Sequence, residues 1–185
     1  MPETLPAACP SSIAGQAATA RRALLLSLLA TSAVAQEPVA EAAGRRLVLN
    51  GTGVRRFFGF QVFRAWLYLE ARSSEGAAII ASPGVKLIRS RYLRDVPRDR
   101  AEGEWESGFS RHCGCPMPPA FRARLRDLQE GETETWLYTP AGADVFYNNE
   151  PPVRLPPAQA TRMLGGLIGP NADSEGLRRG LLGLG

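Results

Sequence analysis

Residues 47–70, LVLNGTGVRRFFGFQVFRAWLYLE, constrain the fold more than any other stretch of the chain. A short apolar run meets Asn50-Gly51, then Thr52-Gly53 and Arg55-Arg56, and a longer run rich in aromatic and β-branched residues follows. Such residues favour strands, and Asn-Gly between strand-like runs is a strong hairpin signal. The pattern predicts a strand over 45–50, a glycine turn presenting the arginine pair, and a long strand over 57–70 with Gly59 as a bulge. Phe58, Phe60, Val62, Arg64, Trp66 and Tyr68 would share one face of a regular strand, and Phe57, Gln61, Phe63, Ala65, Leu67 and Leu69 the other. Large apolar groups on both faces suit a central strand covered on two sides. An arginine pair held by a glycine turn beside an apolar surface is a natural place to hold an anion.

Further strands are expected at 85–93, 133–139, 145–147 and 153–155, with a short helical turn near 76–81. Helices are expected at 98–109, where Ala101, Trp105 and Phe109 recur at four-residue spacing, at 118–128, from Pro157 to the break at Gly169, and at 174–182. Lys86 reads as a solvated strand edge and Arg94-Asp95 as a local ion pair at a helix start. Strands, a helix pair, hairpin strands and a second helix pair, in that order, predict an α+β domain: an antiparallel sheet with helices gathered on one face.

Residues 1–35 read as a cleaved export signal. Arg21-Arg22 precedes the apolar run 23–30, and Ala33-Val34-Ala35 supplies small residues for cleavage. The apolar run is too short to span a bilayer, which needs about 20 residues. This predicts a periplasmic or secreted protein that does not span the membrane after cleavage. A flexible arm is expected at 36–44 and one domain at 45–185. Without Glu3, Arg21 and Arg22, the 22 basic and 18 acidic residues fall to 20 and 17. That mild excess has no long run of like charge, so it argues weakly for an anionic ligand and against nucleic acid.

Cys9 leaves with the signal, and His112-Cys113-Gly114-Cys115 remains. In an oxidising compartment the two cysteines can bridge. With His112, the only histidine, they could instead begin a metal or redox site, although no fourth ligand stands nearby. A structural role is the third reading. No other cofactor or metal motif is present.

The chain resembles the bacterial exported branch of the chalcone isomerase-like proteins. Four pieces carry the likeness: 49–55 with the strand ending Leu67-Tyr68-Leu69; Lys86-Leu87-Ile88 and 92–96 leading to Trp105 and Gly108-Phe109; the hairpin region 135–147; and 163–168 with Gly169-Pro170, ending Leu181-Leu182-Gly183. The resemblance implies an open-faced β-sandwich with helices on one side of a long antiparallel sheet. Plant members close a chalcone into a flavanone, and relatives without that activity bind fatty acids in the same cleft. The family's arginine in Gly-x-Gly-x-Arg matches Arg55. The next functional position, threonine in the enzymes and tyrosine in fatty-acid-binding relatives, falls on Phe63, which has no hydroxyl. The enzymes' Tyr-x-x-Lys pair has no counterpart in 96–100. Chalcone cyclisation is therefore not expected.

The reading ranked first is a non-catalytic binding module. An apolar cleft with Arg55 at its mouth would hold a fatty acid or similar amphiphilic or aromatic ligand, with Phe63, Tyr68 and Tyr92 beside it and no cofactor. A guanidinium suits this role because it grips a carboxylate through paired hydrogen bonds. The alternatives are a periplasmic interaction or structural protein whose cleft has filled, and an isomerase acting on an enone or aromatic substrate. The isomerase would need an acid or base that only Tyr92 or His112 could supply.

Overall fold

The computed structural model describes residues 37–185. The expected export signal and Cys9 lie outside them. Seven antiparallel strands form one sheet in sequence order: β1 (Val39–Ala42), β2 (Arg45–Phe57), β3 (Phe60–Leu69), β4 (Lys86–Tyr92), β5 (Thr133–Thr139), β6 (Gly142–Tyr147) and β7 (Val153–Leu155). The segment expected to be a flexible arm supplies the edge strand, with Val39 opposite Val48 and Ala42 opposite Arg45. Helices α1 (Gly76–Ala81), α2 (Arg98–Gly108), α3 (Pro119–Arg122), α4 (Pro157–Ile168) and α5 (Glu175–Leu181) complete the domain, with a π-helical turn at Phe109–Cys113. This is the open antiparallel sheet with helices that the sequence predicts.

Alternation along the strands sorts the two faces. Ala65, Leu67 and Leu69 of β3, Ile88 and Tyr92 of β4, and Trp136 and Tyr138 of β5 join the helices in the main core. Leu47, Tyr68 and Leu87 form a smaller cluster with Trp66 and Leu137 on the other face. Helix α4 starts with Pro157 in its first turn, where the missing N–H costs nothing, and buries Ala160, Met163, Leu164 and Ile168. Ser174 caps α5 by accepting a hydrogen bond from the Leu177 N–H.

Two glycine-containing steps exchange the roles expected of them. Strand β2 runs unbroken past Asn50-Gly51, which forms an irregularity in the pairing with β3. The hairpin turn is Phe58-Gly59, both at positive φ (46° and 83°), the geometry of a two-residue primed turn. Gly51 and Gly53 serve packing instead. A Cβ on Gly51 would lie 2.2 Å from the Gly180 carbonyl oxygen, and one on Gly53 2.5 Å from that of Leu177. From the other side, a Cβ on Gly180 would lie 2.4 Å from the Thr52 oxygen. Strand β2 and helix α5 thus meet main chain to main chain. Asn50 fastens the contact: its amide donates to the Leu181 carbonyl at 2.8 Å and its oxygen accepts from the Ser73 N–H.

Three smaller expectations are also corrected. The basic segment 118–128 is helical only over α3, because the chain then extends to pair Leu128 with Val96 and to bury Leu125 and Leu128. Lys86 is buried, its ammonium donating to the Ser82 and Gly84 carbonyls. Asp95 accepts from the Glu130 N–H, while Arg94 stacks over the Phe60 ring at 4.8 Å, so the two form no ion pair.

Candidate functional site

A cavity of about 440 Å³ opens between the sheet and the helices at the β2–β3 hairpin end. That volume is in the range of small-molecule sites. Phe63, Tyr92, Trp105, Leu167 and Leu177 form inner walls, and Phe57, Phe58, Phe60 and Arg94 surround the hairpin side. Phe58 and Phe60 are 86% and 62% exposed.

Strand register brings three of the four sequence-predicted residues together. Arg55 pairs with Phe63, and Phe63 with Tyr92, so one cross-strand row carries all three into the cavity. The Phe63 and Tyr92 rings meet edge to face at 5.9 Å, and Phe63 lines the cavity without closing it. Tyr68 does not join them. It projects from the opposite face of β3 into the smaller cluster, its hydroxyl donating to the Glu37 carbonyl and its ring under the Arg89 guanidinium. The side-chain period of two already separates Phe63 from Tyr68, an odd number of residues apart.

The Arg55 side chain is 18% exposed and held at the rim. One amino group donates to the Asp173 carbonyl at 2.8 Å, and the other lies 3.6 Å from the Glu104 carboxylate. Asp173 is fixed in turn. Its carboxylate pairs with Arg111 and lies 2.9 Å from Nε2 of His112. His112 packs on Gly166, where a Cβ would come within 2.5 Å of the imidazole, and is not among the residues lining the cavity. Cys113 and Cys115 form a disulfide beside this turn, and Arg162 donates to the Cys113 carbonyl. Among the described residues no group of three His, Cys, Asp or Glu side chains is placed to hold a metal ion.

A group that the sequence reading missed lies deeper. A small chamber of about 50 Å³ shares Phe63, Tyr92, Trp105, Leu167 and Leu177 with the main cavity and adds Ser90, Glu134 and Trp136. Glu134 is 5% exposed, and aromatic side chains are its donors: Oε1 accepts from the Trp136 indole at 2.7 Å and Oε2 from the Tyr92 hydroxyl at 3.3 Å. Burial pushes its carboxyl above the ordinary range, while the donors beside it, Trp136 first, pull the other way. Burial first, and Glu134 second, push the Tyr92 and Tyr147 phenols well above theirs. The sequence signal was alternation: Glu134 shares a face with Trp136 and Tyr138.

The comparisons with known proteins agree on the architecture. The family profile described as "Chalcone isomerase-like" matches residues 29–183. No curated protein matches. Among solved structures, the chain is similar to a fatty-acid binding protein of Arabidopsis thaliana, with a TM-score of 0.55 and 11% identity over 74% of this chain and 86% of that one.

Proposed function

The chain belongs to the chalcone isomerase-like family, and on that premise we propose that it is a non-catalytic binding protein holding a fatty acid or similar amphiphilic carboxylate in the sheet–helix cleft. The observation that carries this is an apolar cavity of ligand size with a guanidinium fixed at its rim. Each methylene taken from water contributes about 0.8 kcal/mol, so the walls supply the affinity and Arg55 sets the orientation. The Glu104 carboxylate occupies the place beside Arg55 that a ligand carboxylate would take. Its side chain is 56% exposed. Exposed pairs are worth roughly 0–1 kcal/mol, so exchange for a ligand costs little. The similar plant structure, which shows likeness of fold, is itself a fatty-acid binding protein.

We also propose that the protein works outside the cytoplasm. Support comes from the signal-like pattern of residues 1–35 and from the disulfide, a bond that persists in oxidising compartments.

The test is native mass spectrometry of gently purified protein, followed by thermal shift of delipidated protein with saturated fatty acids. Copurifying lipid and a raised Tm are expected. Neither a bound lipid nor a shift would end this reading.

A further inference from the structure

The inner chamber opens where the sheet floor carries two small side chains, Ala65 and Ser90. One cross-strand row on the helix side runs Gly53, Ala65, Ser90, Glu134 and Tyr147 through β2 to β6. The neighbouring rows carry Phe63 with Tyr92, and Leu67 with Ile88 and Trp136. Flanked by large residues in the rows on both sides, Ala65 and Ser90 leave a hollow, and Trp105, Leu167, Leu177 and Leu181 also line it. Three polar side chains line this hollow, Ser90, Tyr92 and Glu134, at 6%, 6% and 5% exposure.

We propose that this chamber is a second, polar subsite of the cleft, where Glu134 receives a hydroxyl carried on the ligand chain, making the ligand class a hydroxy fatty acid. The inference rests on the fatty-acid reading above and deepens it. Trp136 and Tyr92 each donate to Glu134, and the Tyr92 bond is long at 3.3 Å. A carboxyl group that accepts from two donors has lone pairs left to accept another, and its protonated form also donates. A hydroxyl can do both at once. A plain methylene can do neither, and leaves a buried polar group without its partner. The chamber, about 50 Å³, has room for one hydroxyl-bearing carbon or a water but not for a length of chain. Sites built around a ligand hydroxyl discriminate strongly against the analogue lacking it, because their own polar groups are then stranded.

The experiment is calorimetric titration of the full chain with stearate and with hydroxystearates bearing the hydroxyl mid-chain, two-thirds along and at the terminus. One hydroxystearate is expected to bind about tenfold or more tighter than stearate. Glu134→Leu should collapse that preference and Glu134→Gln keep part of it, with circular dichroism confirming that each variant is folded. If neither variant folds, the wild-type preference decides alone. Equal affinity of wild-type protein for stearate and every hydroxystearate overturns the inference while leaving the fatty-acid reading intact, as does a preference that survives in Glu134→Leu. Failure of every acid to bind overturns both.

Discussion

The rim and the inner end of the cleft treat charge in opposite ways. At the rim, Arg55 is mostly covered but keeps a solvent-facing edge, braced by a backbone carbonyl and beside an exposed carboxylate. At the inner end, Glu134 is enclosed, with aromatic donors as its hydrogen-bond partners. A charge at the rim can change partners cheaply, because water completes whatever a partner leaves open. A polar group at the inner end has no such reserve. It must be neutralised, or matched by whatever enters. Orientation therefore belongs to the rim and discrimination to the interior.

The most severe way to break this contrast is to place one cation at the inner end and another in open solvent on the hairpin. Glu134→Lys should cost more than about 3 kcal/mol or prevent folding, as a buried unmatched charge does, whereas Gln61→Lys on the exposed hairpin should stay within roughly 0.5 kcal/mol. Urea unfolding measures both, and comparable losses would erase the distinction. The next effect is on ligands. Arg55→Met should weaken a fatty acid anion by about 1.5–3 kcal/mol, the usual worth of a hydrogen bond to a charged group, and leave the matching fatty alcohol almost unaffected. Equal losses for acid and alcohol would mean that Arg55 shapes the wall and grips no carboxylate.

A subtler probe uses pH on two carboxyls two residues apart. Burial raises the Glu134 carboxyl, so between its unfolded value and its raised native value the folded protein binds more protons. Stability from this group is full below the unfolded value and declines as pH rises through that window. Glu132 behaves oppositely. Hydrogen bonding from Arg126, foremost, holds it at about 2, so its contribution is present above the ordinary 4.5 and is lost as pH falls toward 2. Relative to wild type, Glu134→Gln should gain stability as pH rises above the ordinary carboxyl range. Glu132→Gln should instead show a deficit that shrinks in acid. Urea midpoints across pH would reveal parallel profiles if the two environments were alike. The smallest effect is expected at the hairpin tip: Phe58→Ser, at a position 86% exposed, should shift stability by no more than roughly 0.5 kcal/mol in the same assay.

Much of the fold was legible because periodicity and burial coincide there. The alternation in β4 and β5 and the apolar stripe of α4 are local signals that tertiary packing reinforces. The glycines were harder. Asn50-Gly51 carries a turn signature, yet its smallness answers to a helix more than a hundred residues later, which no local window contains. The turn fell instead on Phe58-Gly59, where a phenylalanine adopts positive φ. In the candidate site, register aligned Arg55, Phe63 and Tyr92, while Tyr68 was excluded by parity that the sequence itself displays. Glu134 was overlooked because acidic residues are presumed to face water. Its setting between aromatic side chains on a helix-covered strand follows from which face α2, α4 and α5 cover, a long-range fact.

The direct apposition of Gly53 and Gly180 sets a hard stop between strand and helix. No side chain lies between them to shrink, grow or rotate, so the gap they frame has a fixed gauge. Substitutions at Leu167 or Leu177 would recontour the hollow within a rigid frame, and a new molecular fit could arise without rebuilding the scaffold.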